Sequence, residues 1–162
     1  MTGNAGAGKS TLARLISERL QLHLYGLDKV VWRSGWVKAG REEIEKSIAE
    51  IVSNASWVLD GVTQQGLEVA EVIVFLDVPR RVCYWRTLRR NMKYLFKSRP
   101  ELPPNCPEIK IVPRLWRLIW NFSTNVRPKI LRFEDPKNGK RFYHLRTKND
   151  YKAFVQKMSD LS

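Results

Sequence analysis

Behind a glycine-rich start, apolar side chains recur at 12, 15, 16 and 20 in KSTLARLISERLQ, the spacing of one helical face, and predict a helix directly after Gly8. LHLYGLD (22–28) reads as a short strand or extended segment ending at Asp28. REEIEKSIAEIVSNA predicts a second amphipathic helix, with Ile44, Ile48 and Ile51 on one side and charges on the other. WVLDG (57–61) is a short apolar run ending in Asp and Gly, and VIVFLD (72–77) is a continuous β-branched and aromatic run of the kind buried in parallel sheets. A basic helix is expected from Pro79, which suits a first helical turn, to about Phe96. SRPELPPNCPE, with four prolines in eleven residues, predicts a loop or mobile flap. VPRLWRLIWNF returns to helical spacing, with Leu115, Leu118, Ile119 and Phe122, until Pro128 interrupts it. DPKNGK reads as a turn, RFYHL as a last strand and NDYKAFVQKM as a closing helix.

Strands alternating with helices predict an α/β fold around a parallel sheet. No internal repeat or low-complexity tract is visible. The 162 residues suit one domain, 1–162, with a core large enough to fold alone. No apolar run approaches a membrane span and no secretory signal pattern opens the chain, so the cytoplasm is the expected compartment. Cys83 and Cys106 are too few for a four-ligand zinc site, and a cytoplasmic pair is expected to be reduced.

Charge adds a strong asymmetry to this picture. The net +13 lies almost wholly in residues 78–132, which carry 14 Lys and Arg against 2 acids. Such a field attracts polyanions: nucleotide phosphates, nucleic acid or an acidic membrane surface.

The chemistry is concentrated at the start. Gly3, Asn4, Ala5, Gly6, Ala7, Gly8, Lys9 and Ser10 fill G-x-x-x-x-G-K-[ST] completely, and Thr11 follows. Glycines let successive N–H groups turn inward around an anion, and the helix starting near Lys9 adds its positive end. Lys9 is expected to supply charge to the outer phosphates and the Ser10 hydroxyl to ligate Mg²⁺. Such a loop normally hangs from a buried strand of roughly five residues, yet only Met1 and Thr2 precede it. A start assigned too late, a natural truncation and a loss of activity are the three explanations, and the intact second half of the chain favours the first.

Further candidates lie at the ends of apolar runs. Asp60 closes WVLDG, where a carboxylate suits a magnesium-bound water beside the loop. The helix after Asp77 carries Arg86 and Arg90 one turn apart, placed to clamp a transferring phosphoryl group, a task worth about 10³–10⁵ in rate in related chemistry. Asp28, with Trp32, Arg33 and Trp36 close behind in LDKVVWRSGW, is a further candidate at a strand end.

Taken in order, GNAGAGKSTLARLISERLQL, LDKVVWRSGW, WVLDG, VIVFLDVPRRVCYWRTLRR, RPELPPNCPE and LWRLIWNF resemble the adenylate-kinase-like proteins labelled DNA topology modulation proteins. The resemblance covers almost the whole chain and departs at the first strand. It implies the three-layer α/β/α sandwich of P-loop NTPases, with a parallel sheet ordered 2-3-1-4-5, ATP and Mg²⁺ as phosphoryl donor, and a lid-like basic insertion at about 91–126. On this chain it implies that Gly3 to Thr11 hold ATP, that Ser10 and Asp60 lie at the metal, that Arg86 and Arg90 flank the lid, and that Asp28 orients or deprotonates an acceptor hydroxyl. Arg33 and Trp36 are the further acceptor-side candidates. Adenylate kinases continue Phe-Pro-Arg after their DG pair, whereas this chain has Val62-Thr63-Gln64. The arginine that grips a nucleoside monophosphate therefore has no counterpart, and AMP is not the expected acceptor.

Two other readings compete with this one. Thr147-Lys148-Asn149-Asp150 matches the guanine-reading pattern [NT]-K-x-D of GTPases, but twelve following residues are too few for the elements a GTPase still needs, so the match reads as coincidence. A nucleic-acid binder is the alternative from another class, with Trp85, Tyr94, Trp116 and Trp120 interleaved among basic residues for stacking. The helical spacing of Trp116 and Trp120 beside Leu115, Leu118 and Ile119 argues instead that they are core. His23 and His144 show no metal or relay spacing and are expected to be structural.

Overall fold

The computed structural model describes residues 1–94, 102–107 and 111–159. In chain order the elements are β1 (Thr2–Gly3), α1 (Lys9–Leu20), β2 (Leu24–Gly26), α2 (Leu27–Val31), β3 (Trp32–Arg33), β4 (Val37–Lys38), α3 (Arg41–Val52), β5 (Val58–Asp60), α4 (Gln64–Val69), β6 (Val72–Leu76), α5 (Arg80–Lys93), α6 (Val112–Asn125), α7 (Arg127–Leu131), β7 (Arg141–Leu145) and α8 (Lys148–Ser159). The chain is thus an α/β protein.

The strands carrying the apolar runs pair in parallel. β6 lies between β1 and β7, and β2 pairs with β5. β6 and β7 stay in register over five positions, Val72↔Arg141 to Leu76↔Leu145, while β1 meets β6 at only two, Thr2↔Phe75 and Gly3↔Leu76. Met1 joins the two groups of strands. Its terminal amine donates to the Leu59 carbonyl at 2.7 Å, and its carbonyl accepts from the Gly61 N–H at 3.1 Å. The first strand is therefore present as a stub. A small antiparallel hairpin, β3 with β4, stands apart.

Alternation along β6 divides the interior in two, because successive strand residues face opposite sides. Val74 and Leu76 join Leu12, Ala13 and Ile16 of α1, Leu145, and Phe154 and Met158 of α8. Ile73 and Phe75 join Leu67 of α4, Phe122 of α6 and Ile130 of α7. The helical faces read from sequence are the inward ones, with Leu12 and Ile16 in α1, Ile48 and Ile51 in α3, and Ile119 and Phe122 in α6 buried; Leu15, Leu20, Ile44 and Leu115 are half-buried, and Leu118, expected on the same face of α6, is exposed.

Several expectations are corrected. The segment predicted to run extended to Asp28 leaves the strand at Gly26, and Asp28 sits in the first turn of α2. Pro79 is the residue before α5 rather than within its first turn. The hairpin β3–β4 and helix α4 had no counterpart in the sequence pattern, since each is too short to build a period. Trp116 and Trp120 are not core: they are 44% and 58% exposed, while their neighbour Ile119 is fully buried. At about 100° per residue both tryptophans fall on one flank of the stripe carrying Leu115, Ile119 and Phe122, so the helix turns them outward whatever their apolarity. The lid-like insertion at 91–126 and the proline-rich flap fall partly at 95–101 and 108–110, outside the described residues. Among the described residues, no helix is long and apolar enough to cross a membrane.

Candidate functional site

The opening loop is shaped by its glycines. Gly6 and Gly8 hold φ of 78° and 102°, a region that side chains disfavour. At Gly6 the constraint is also spatial, because a Cβ would lie 2.5 Å from Thr87 Oγ1 and 2.6 Å from the Cys83 carbonyl. The loop consequently rests on the backbone and side chains of α5. Asn4, buried, ties it to α6: its Nδ2 donates to the Ile119 carbonyl at 3.1 Å, and its Oδ1 accepts from the Ala5 N–H at 2.8 Å. Arg86 donates to the Ala7 carbonyl at 3.1 Å.

The loop opens onto a cleft of about 620 Å³. Gly3, Ala5, Gly6, Gly8, Lys9, Ser10 and Thr11 form one wall, and Asp28, Trp32, Trp36, Asp60, Arg86, Arg90 and Arg114 reach it from α2, the hairpin, β5, α5 and α6. Asn4 and Ala7 of the motif lie behind the wall as buried supports. Leu115, Leu118, Phe122 and Val126 give the cleft an apolar side.

Lys9 Nζ donates to the Asn4 carbonyl at 2.9 Å, folding back across its own loop. Burial pushes its ammonium below the ordinary value; the Asp60 and Asp28 carboxylates oppose that, and Arg90 adds to it. Two acids and a second cation thus act on one lysine. Asp60 Oδ1 is buried and accepts no hydrogen bond, which is costly for a carboxylate unless a cation or donor arrives. The donor set suits magnesium, which takes one or two carboxylates and keeps waters and phosphate oxygens for its remaining positions. Ser10 and Asp60 are the residues of this cleft that would hold it. No group of three or more His, Cys, Asp or Glu side chains able to bind a metal occurs among the described residues, and such a site does not need one.

Not every candidate converges. Arg33 is exposed and forms an ion pair with Glu43 of α3, outside the cleft. Trp36 does line the cleft; its indole N–H donates to the Pro107 carbonyl at 2.9 Å, and its ring meets Trp32 edge-on at 5.3 Å between centroids. Sequence reasoning missed Arg114, whose guanidinium lies 5.7 Å from the centre of the Trp32 ring. It stands at the start of a helix recognised from its leucines, so periodicity marked the helix and not the arginine. A second cluster was also missed. Asp77 accepts from Arg127 Nε and Nη2, and its Oδ2 lies 2.9 Å from His144 Nε2. Glu134 lies 3.0 Å from His144 Nδ1. Burial pushes the Asp77 carboxyl up, but the hydrogen bonds from Arg127 and His144 outweigh it and hold it below its ordinary value. His144 also stacks on Phe75.

The guanine-like motif has a local explanation. Thr147 Oγ1 accepts from the Asp150 N–H, and Asp150 Oδ2 accepts from the Thr147 and Arg146 N–H groups. This reciprocal arrangement caps the start of α8.

No protein-family model matches the chain, and no curated protein matches it at a significant level.

Proposed function

We propose that this chain is a P-loop kinase-like protein that binds ATP with Mg²⁺ and transfers the γ-phosphoryl group to a small-molecule or nucleotide acceptor. In this reading β2, β5, β1, β6 and β7 are one parallel sheet, order 2-3-1-4-5 when these five strands are counted along the chain, sandwiched between two helical layers. The two hydrogen bonds of Met1 support that continuity. The observation that carries the function is the convergence on one cleft of a complete phosphate-loop motif, its half-buried lysine and the unpartnered Asp60 oxygen.

The loop N–H groups and Lys9 hold the β- and γ-phosphates; Ser10 and Asp60 would hold the metal, which would supply positive charge to offset that developing on the phosphate oxygens. Release of Lys9 from the Asn4 carbonyl frees its ammonium for phosphate. Arg86 and Arg90 face the transferring group from α5. Asp28 orients the acceptor hydroxyl or takes its proton, between Trp36 and the apolar wall. Catalysis of this kind is largely positioning, and closing the cleft to water suppresses hydrolysis.

Calorimetric titration of the protein with ATP and Mg²⁺, followed by transfer of labelled γ-phosphate to a panel of nucleotides and small alcohols, tests the proposal. Binding that is unchanged in Lys9→Ala would overturn it.

One observation favours a second reading, nucleic-acid binding by the basic 78–132 segment. Trp85 on α5, with Trp116 and Trp120 on α6, is exposed, by 67%, 44% and 58% respectively, and Arg80 lies 4.3 Å over the Trp120 ring. Stacking platforms beside basic residues suit single strands. Affinity for an oligonucleotide that falls steeply with salt, alongside no phosphoryl transfer, would favour this reading.

A further inference from the structure

Helix α5 faces the domain with small or polar side chains. Cys83, Thr87 and Asn91 are its buried residues, and the opening loop rests so closely on them that a Cβ at Gly6 would lie 2.5 Å from Thr87 Oγ1 and 2.6 Å from the Cys83 carbonyl. Larger groups have no room there. The large apolar side chains of α5, Trp85, Leu88 and Met92, follow i, i+3, i+7 and share one face, within about 60° of one another around the axis. That face is turned to solvent: the three are 67%, 41% and 74% exposed. An amphipathic helix on an isolated globular domain has the reverse arrangement. Helix α6 packs beside α5 and extends the surface. Tyr84, one turn before Leu88, meets Trp116 edge-on at 5.9 Å between ring centroids, and its hydroxyl donates to the Trp116 carbonyl at 2.9 Å. Trp120, one turn further along α6, lies 4.3 Å under the Arg80 guanidinium. Exposed apolar side chains thus cluster along two packed helices, unlike the single scattered ones of an ordinary surface.

The charge on this surface has one sign. Neither α5 nor α6 contains an aspartate or glutamate. Arg81 and Arg89 stand one turn before and one turn after Trp85, Lys93 follows Met92, and Arg117 lies between the two tryptophans of α6. We propose that the outer face of α5, with Trp116 and Trp120, docks on a bilayer of anionic lipids. The axis of α5 lies in the plane of the interface, and Trp85, Leu88 and Met92 enter the boundary between headgroups and acyl chains. Trp116 and Trp120 sit at headgroup depth, which suits an apolar ring with one polar edge. Arg81, Arg89 and Lys93 meet the acidic headgroups, each strengthening attachment about fivefold. Charge and side-chain type select this occupant. A second copy would bring two acid-free, arginine-rich faces together. A single-stranded nucleic acid would engage the arginines and tryptophans but leave Leu88 and Met92, which have no aromatic face, against a polar strand. An acidic bilayer accepts aliphatic, indole and guanidinium groups at once. Arg86 and Arg90 leave α5 on another flank to reach the cleft, so the docking surface is separate from it.

Sedimentation of the full chain with vesicles, without nucleotide, tests the proposal. Vesicles of phosphatidylcholine alone are compared with vesicles containing about one third phosphatidylserine. Binding to the acidic vesicles and not to the neutral ones is expected, and it weakens as salt rises. The double variant Trp85→Ser, Met92→Ser, altered only at exposed positions, is expected to bind about tenfold more weakly or worse, with its thermal midpoint unchanged. Arg81→Gln with Arg89→Gln is expected to lose about twentyfold at low salt. Brominated acyl chains are expected to quench tryptophan fluorescence in the parent chain and to quench it less in Trp85→Phe. No binding to acidic vesicles, or equal binding by the serine variant and the parent, overturns the proposal. A concentration-dependent dimer that the serine variant abolishes also overturns it, since the face would then meet a second copy. Oligonucleotide affinity that the serine variant abolishes, with vesicles left unbound, overturns it in favour of nucleic acid. ATP enters none of these readouts, so they stand or fall apart from the proposed kinase activity.

Discussion

Lys9 and Arg33 show how differently two cations of one sequence are used. Lys9 is half-buried in the opening loop and feels the Asp60 and Asp28 carboxylates, whereas Arg33 is committed to Glu43 at the surface. Lys9→Ala is expected to weaken ATP binding by about ten- to a hundredfold, the range for losing a hydrogen bond to a charged group, while Arg33→Ala leaves it unchanged; calorimetry on both variants measures this. Gly6→Ala is expected to cost more than about 2 kcal/mol, because both the positive φ and the contacts with Thr87 and the Cys83 carbonyl oppose a Cβ. Denaturant unfolding checks it. Asp77→Ala, by removing the carboxylate that Arg127 and His144 Nε2 share, is expected to cost about 2–3 kcal/mol. Because the Asp77 carboxyl is held below its ordinary 3.8, its contribution is full above that pH and is lost as acid carries the protein through the lower, folded value. An acid unfolding curve for Asp77→Asn that lacks this component is the expected result.

At the scale of elements, the long periodic segments were legible and the short ones were not. α1, α3, α6 and β6 bury most of the residues their spacing marked, with Leu118 and Val72 left exposed, since one exposed and one buried face impose a period on the sequence. β2 stops at Gly26 and hands Asp28 to α2, a change of element within five residues that no period can register. The start of α8 is a case where a motif was local chemistry. Thr147→Ala removes the hydroxyl that caps the Asp150 N–H and is expected to destabilise the fold by about 1 kcal/mol. A lower thermal midpoint, with ATP binding intact, is the measurable outcome.

For the molecule as a whole, the amine of Met1 couples stability to pH. Burial, with Lys9 adding and Asp60 opposing, depresses it from 8.0 to about 6. Between those values the unfolded chain holds a proton that the folded chain has released, so stability rises from pH 6 to 8 and is flat from this source outside that window. The rise is of order 2 kcal/mol. Acetylating the N-terminus, or extending the chain through it, is expected to abolish this slope in pH-dependent unfolding.

The sequence alone determined the α/β class, the phosphate-loop motif, the acids at the ends of β5 and β6 and the concentration of positive charge, because each is written in neighbouring residues or in a short period. Tertiary structure decided which charges meet. The ion pairs of Asp77 reach residues 50 and 67 positions away, and Arg114 reaches the cleft only because α6 packs against the loop. Partners chosen by packing leave no periodic trace along the chain.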